Sequence, residues 1–229
     1  MQHHLNQFEN WAAQNNMKLN PKKCATMRVT FMKDVVNEPP LTIANVPLRN
    51  VQVTKILGVH VEANLKWDEQ VSQILKKANG RLYMLKLLKR FNLPHDDFVT
   101  IYSGFVRPLA EYAAPIWHPG ITIDQSISIE RIQKRACKII MGKEYVSYYE
   151  ALHDCKLHSL SQRRDDLCLN FFKSLMSSDK FAQWVPPTRG SVHKRNLRGS
   201  NKLSIPMVKT ERCKKSPMLY MTDLYNNTL

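Results

Sequence analysis

The chain has 229 residues, with 34 Lys+Arg against 19 Asp+Glu and a formal net charge of +15. That length holds one ordinary domain or two small ones, and 43% hydrophobic with 23% charged residues is too globular a balance for wholesale disorder. No apolar run is long enough to span a membrane as a helix, and residues 1–16 carry no secretory segment, so an intracellular setting, nuclear or cytoplasmic, is expected. Seven dispersed glycines exclude a Gly-rich phosphate loop. The pI near 9.7 points to a polyanion, nucleic acid first and an acidic membrane second. Five cysteines without a CxxC pair fit reduced thiols better than a disulfide framework.

Leu5, Phe8, Trp11 and Ala12 recur at helical spacing, and Asn15-Asn16 stop that helix. Residues 23–31 alternate late in the run and predict a strand. Residues 41–43, 46–48 and 51–53 read as short extended pieces, and Lys55 to Val61 as one strand interrupted by Gly58. From Trp67 the period changes. Val71, Ile74, Leu75, Ala78, Leu82, Leu85 and Leu88 share one helical face behind Asp68, with Lys76, Lys77, Arg81, Lys86, Lys89 and Arg90 largely off it. Pro94 opens another helix with Asp96-Asp97 in its first turn. Its stripe is Phe98, Ile101, Tyr102, Phe105, Leu109 and Tyr112, and Pro108 is expected to kink or split it. Residues 116–120 read as a loop. Ile127 to Ile140 mark a third helix with Arg131, Lys134, Arg135 and Lys138 outside. Leu167, Leu169, Phe171, Phe172 and Leu175 mark a fourth. After Pro186-Pro187, nine basic residues against two acidic ones give residues 189–229 a charge of +7, and few apolar anchors predict a weakly ordered basic tail.

The fold class expected is α+β, predominantly helical: residues 1–62 with short strands, a helical 63–145, a further helical 146–185 and a basic 186–229. No catalytic constellation is visible. Asp96-Asp97 and Asp165-Asp166 sit at helix starts, where carboxylates have an electrostatic reason to be, whereas two-metal chemistry needs acids gathered on adjacent strands or a hairpin. No G-x-S-x-G elbow occurs. His153, Cys155 and His158 are the tightest candidate metal cluster. They lack a second ligand pair, so no metal site is expected.

Five stretches, WAAQNNMKLNPKKCATMRVTF (11–31), KILGV (55–59), WDEQ (67–70), IYSGFVRPLAEYAAPIW (101–117) and IERIQKRA (129–136), in that order, resemble motifs of the reverse transcriptases of non-LTR retrotransposons of the LINE and jockey group. Residues 11–31 are similar to the segment after the family's catalytic Asp-Asp hairpin; Asn20, Lys23 and Met27 match, and Cys24 stands where Thr is usual. Lys55 to Val59 resembles the Leu-Gly primer-grip segment, with Trp67-Asp68-Glu69-Gln70 as its Trp-x-x-His/Gln. Residues 101–117 resemble a thumb helix ending Tyr-Ala-x-Pro-x-Trp, residues 129–136 an Ile-Glu-x-Ile-Gln-x-x-Ala helix, and Leu224-Tyr225-Asn226 the Trp-Asn near the family's end. Residues 56–117 also resemble a segment labelled the AlkB-homologue N-terminal region, although nothing supplies a dioxygenase's iron ligands.

The resemblance implies the end of a palm, a primer grip, a thumb and a post-thumb region of an RNA-directed DNA polymerase. The family's three catalytic aspartates lie N-terminal to the Leu5 helix, so this chain alone is expected to be inactive, and the Mg²⁺ of the full-length family would have no ligands here. Lys23 matches a lysine proposed to protonate pyrophosphate; a solvated charge is the alternative. Ile56, Leu57 and Gly58 match the primer grip; a packed strand with a bulge is the alternative. Lys76, Lys77, Arg81, Lys86, Lys89, Arg131, Lys134, Arg135, Lys194, Arg195 and Arg198 are the expected contacts to a duplex backbone, DNA or RNA–DNA, without sequence preference. Neither a membrane nor a small-molecule substrate is expected. A domesticated, non-enzymatic nucleic-acid-binding protein derived from such an element is the second reading, and a helical module for membranes or proteins the third.

Overall fold

The structure is a computed structural model that describes residues 1–31, 39–91, 93–192 and 198–229. It is a helix-dominated α+β chain of two compact units, residues 1–70 and 71–229.

The first unit opens with α1 (Gln2–Gln14), closed by Asn15 and followed by Asn16 at φ 54°. Its elements then run β1 (Ala25–Thr26), β2 (Thr42–Ile43), β3 (Val46–Pro47), β4 (Arg49–Asn50), β5 (Val53–Ile56) and β6 (Val59–Glu62). β1 pairs in parallel with β4, while β2–β3 and β5–β6 are antiparallel hairpins. α1 holds the first hairpin through side chains. Gln2 exchanges two hydrogen bonds with the Thr42 backbone, at 2.9 and 3.0 Å, and Glu9 accepts the Ala44 N–H at 2.6 Å.

Two expectations are corrected here. The strand over 23–31 is, among the described residues, assigned only at Ala25–Thr26, which pairs with Arg49–Asn50. The single strand over 55–61 is a hairpin: Ile56 pairs with Val59, and Leu57 (φ 46°) and Gly58 (φ 93°) form the two-residue turn, whose geometry requires positive φ at both positions. Trp11 is 50% exposed and stacks on Phe8, which is 49% exposed, so Ala12 is the residue of α1 that reaches the core.

α2 (Asp68–Leu88) carries two carboxylates in its first turn and buries Val71, Ile74, Ala78, Leu82 and Leu85 of the stripe its sequence predicts, while Leu75 and Leu88 are half-buried. α3 (His95–Ile101) continues through a π-helical turn, Tyr102–Val106, into α4 (Pro108–Glu111). The break falls at Pro108, which lacks an N–H; just before it the Arg107 N–H bonds the Tyr102 carbonyl, five residues back. The wide turn shifts the buried stripe to Val106 and Ala110 and leaves Phe105 44% exposed, against the expectation from a regular helix.

α5 (Ala114–Trp117) and a 3₁₀ turn over His118–Gly120 replace the loop expected at 116–120. Trp117 has no exposed surface, and its indole N–H donates to the Tyr112 carbonyl at 2.9 Å. α6 (Ile123–Met141) begins with a reciprocal capping box between Thr122 and Gln125. It ends at Gly142 (φ 60°), where an added Cβ would collide with the end of the Lys89 side chain. α7 (Tyr148–Asp154) and α8 (Leu160–Met176) follow with Ser147 and Ser159 as N-caps. The buried face of α8 is Leu160, Arg164, Cys168, Phe172 and Leu175, so the expected stripe is right at Phe172 and Leu175 and wrong at Leu167, Leu169 and Phe171.

The C-terminal region carries helices and core residues among its described residues, which corrects the weakly ordered tail there. α9 (Arg189–Val192), α10 (Glu211–Lys214) and α11 (Pro217–Asn226) follow, and α11 packs on α8. Leu203 and Met221 join Cys168 and Phe172 in one buried cluster. Asn226 fastens the segment by bonding both the N–H and the carbonyl of Leu203, at 2.8 and 3.0 Å. A few well-placed anchors suffice because α8 presents a ready apolar face.

Candidate nucleic-acid interface

Among the described residues, exposed cations gather on α2 and α6. Lys76 and Lys86, with Asn79 and Tyr83 between them, recur at three- and four-residue steps and share one stripe of α2. Arg131, Lys134, Arg135 and Lys138 form the corresponding stripe of α6 and are all exposed. Arg135 donates to Asn79 Oδ1 at 2.5 Å, which sets the two stripes side by side. No carboxylate falls between Lys76 and Lys86 or between Arg131 and Lys138, although Glu69 and Asp124, seven residues before Lys76 and Arg131, continue the same two faces at the helix starts. Asp68 and Glu69 lie in the first turn of α2, Asp124 in that of α6, and Glu130 turns inward. Tyr83 is 62% exposed, an aromatic face within a basic surface.

Other expected contacts sit elsewhere. Arg81 donates to the Phe105 carbonyl and its guanidinium covers the Phe105 ring at 4.5 Å, so it fastens α2 to the π turn. Lys77, one turn before it, is exposed. Lys89 caps the end of α6 by donating to the Ile139 carbonyl at 2.6 Å. Lys23 is exposed at the end of a 3₁₀ turn, Pro21–Lys23, whose Asn20 cap accepts the Lys22 N–H at 3.0 Å. Ile56, Leu57 and Gly58 form the tip of the β5–β6 hairpin, with Ile56 52% and Leu57 89% exposed. Arg198 is exposed, and Lys194 and Arg195 lie outside the described residues.

The carboxylate pairs have structural work. Asp165 accepts from His118 Nε2 at 3.0 Å and from the Tyr220 hydroxyl at 2.5 Å. Burial opposes its charge, but those two hydrogen bonds, with the nearby Arg164 guanidinium, hold its carboxyl below the ordinary carboxylate value. Asp166 accepts from Gln162 at 3.1 Å, and Asp96 and Asp97 occupy the first turn of α3. Cys155 is buried while His153 and His158 are exposed, and among the described residues no three His, Cys, Asp or Glu side chains converge as metal ligands.

The motif residues that sequence reasoning singled out are mostly ties of the fold. Trp67 is buried, and Gln70 accepts the His60 N–H at 2.9 Å. Glu130 accepts the N–H groups of Leu160 and Ser161, at 3.0 and 3.1 Å, which serves the positive N-terminus of α8, and it also receives the Tyr148 hydroxyl. Gln133, fully buried, takes the Tyr102 hydroxyl at 2.7 Å and donates to Tyr148 and to the His158 carbonyl. Burial pushes both tyrosine hydroxyls upward. Sequence reasoning missed the polar cluster of Arg164, His118, Asp165 and Tyr220; an Arg-Arg-Asp-Asp run looks like solvated helix surface, and nothing in it signals burial.

Comparison with known proteins finds relatives of one kind. A "Probable RNA-directed DNA polymerase from transposon X-element" of Drosophila melanogaster is 29% identical over 155 residues, 66% of this chain and 16% of that protein. The "RNA-directed DNA polymerase from mobile element jockey" of the same species is 23% identical over 179 residues, 76% of this chain and 19% of the relative. Its Drosophila funebris counterpart is 29% identical over 119 residues, 51% of this chain and 13% of the relative. The chain thus spans less than a fifth of the length of the curated relatives it matches. No family model and no solved structure matches it. Among the described residues, no helix is long and apolar enough to cross a membrane.

Proposed function

We propose that the chain is the template–primer-holding part of a non-LTR retrotransposon reverse transcriptase, with a thumb-like helical unit and no chemistry of its own. The observation that carries the reading is the paired basic surface of α2 and α6: two stripes of Lys and Arg, fixed edge to edge by Arg135 and Asn79, with no acid between Lys76 and Lys86 or between Arg131 and Lys138. Phosphate contacts of this kind position a protein on a duplex without reading its sequence. The named activity of the relatives supports a nucleic-acid partner. The commitment of Asp165 and Asp166 to neighbouring side chains supports a non-catalytic role for those acids. The hairpin tip supports a second contact in the first unit, since an apolar side chain at 89% exposure on a left-handed residue is held there at a conformational cost.

The test is fluorescence anisotropy on a labelled RNA–DNA hybrid and on DNA duplexes of unrelated sequence, across a salt series. Affinity at physiological salt is expected to be roughly micromolar or weaker, equal across sequences, with a log–log salt slope of about −0.9 per phosphate contact on DNA. Replacing Lys76, Lys86, Arg131 and Lys134 by Ala should flatten the slope; a variant that binds with the parent slope refutes the interface.

A further inference from the structure

Three helix ends outside the basic surface meet around a set of soft ligands. His95 is the first residue of α3, Met141 the last of α6, and Cys155 the residue that closes α7. His95 Nε2 lies 3.2 Å from Met141 Sδ; Cys155 Sγ lies 3.9 Å from His95 Nε2 and 3.9 Å from Met141 Sδ. Metal bonds of about 2.3 Å to sulfur and about 2.0 Å to nitrogen, in a trigonal plane, would require edges of about 4.0 Å between sulfurs and about 3.7 Å from nitrogen to sulfur. The triangle already present is close to that, with the His95–Met141 edge slightly short. Cys155 is buried, and His95 and Met141 line a cavity of about 640 Å³ whose rim includes Lys89, Lys143 and Glu144, giving a path from solvent.

We propose that His95, Met141 and Cys155 form a binding site for a soft monovalent metal ion, Cu(I). Thioether, thiolate and imidazole together select soft cations over Mg²⁺ or Ca²⁺. Charge selects the monovalent ion. A single thiolate neutralises Cu(I), whereas a divalent ion would leave a net positive centre in a partly buried site beside Lys89, Lys143 and the one opposing carboxylate, Glu144. On binding, the Cys155 S–H proton is released to solvent and a Cu–S bond forms; the metal keeps its oxidation state. Cys137, fully buried, lies beside Cys155.

The test uses the full chain with Cys24→Ser and Cys213→Ser, which removes the two cysteines that are not buried. Titrated with Cu(I) anaerobically against bicinchoninate, this chain should withdraw one metal ion. Met141→Leu, a swap that keeps the side-chain volume, should weaken binding by at least about tenfold, and Cys155→Ser should abolish it. X-ray absorption of the loaded parent chain should show two sulfur ligands and one nitrogen, a readout independent of whether any variant folds. No withdrawal, an unchanged Met141→Leu affinity, or a sulfur-only shell would overturn the site.

Discussion

Arg164 Nε donates to Nδ1 of His118 at 3.0 Å, and this bond decides the imidazole's tautomer. A guanidinium has only donors, so Nδ1 is the acceptor and the ring proton sits on Nε2, which donates to Asp165. The cation and the anion are therefore bridged through a neutral ring. Arg164 also reaches Ser126 Oγ at 3.0 Å and lies over Trp117 at 5.8 Å, so one fully buried side chain ties α8 to α5 and α6, while Tyr220 brings in α11 through Asp165.

Arg164→Ala should accordingly be among the most damaging substitutions in the chain. It leaves His118 and Asp165 without the charge that organises them, and removing one partner from a buried charged cluster costs about 3–5 kcal/mol. Urea denaturation followed by Trp fluorescence measures it. A midpoint close to that of the parent would mean that the cluster adds nothing to stability.

The same cluster predicts an acid limb. The folded Asp165 carboxyl lies below its unfolded value, so it binds a proton less readily when folded. Its contribution is complete above the unfolded value near about 4 and is lost as pH falls through the lower, folded value. The stability gap between the parent and Asp165→Asn should be constant near neutrality and shrink below about pH 4. A gap that stays level into acid would assign the effect of the substitution to shape rather than charge.

Trp117 and Trp11 provide a contrast within one residue type. Trp117→Ala empties a fully buried site and should cost about 3–5 kcal/mol. Trp11→Ala removes a half-exposed ring stacked on Phe8 and should cost about 1 kcal/mol or less. Equal shifts in melting temperature would contradict the burial pattern.

What the sequence made legible was periodic. The stripe of α2 emerges directly from leucines and isoleucines at helical steps, and the break at Pro108 follows from a missing N–H. What stayed hidden had no period. Leu57-Gly58 lacks the Asn-Gly or Asp-Gly signature of a two-residue hairpin turn, so β5 and β6 read as one strand. The π turn displaces the stripe of its helix by one residue, and no local composition announces it. In the C-terminal region, Ser216-Pro217 before Met218, Met221, Leu224 and Tyr225 was a usable helix start, masked by the surrounding charge. Because Met221 and Leu203 cover Cys168 and Phe172, deleting residues 189–229 would uncover core, and the share of binding due to that region is better measured by replacing its lysines and arginines.

The hairpin tip separates stability from binding. Leu57 sits at φ 46°, a conformation that costs a residue with a Cβ about 1 kcal/mol or more, and its side chain is 89% exposed. Asn adopts that conformation far more readily and, followed by Gly58, completes the favoured turn pair. Leu57→Asn should therefore stabilise the chain by up to about 1 kcal/mol, read as a raised urea midpoint. If the tip touches a nucleic-acid end as proposed, the same substitution should weaken hybrid binding while leaving the salt slope unchanged, because it removes an apolar contact and no cation. A stabilised variant with undiminished affinity would remove the tip from the interface and leave the α2–α6 surface to account for binding alone.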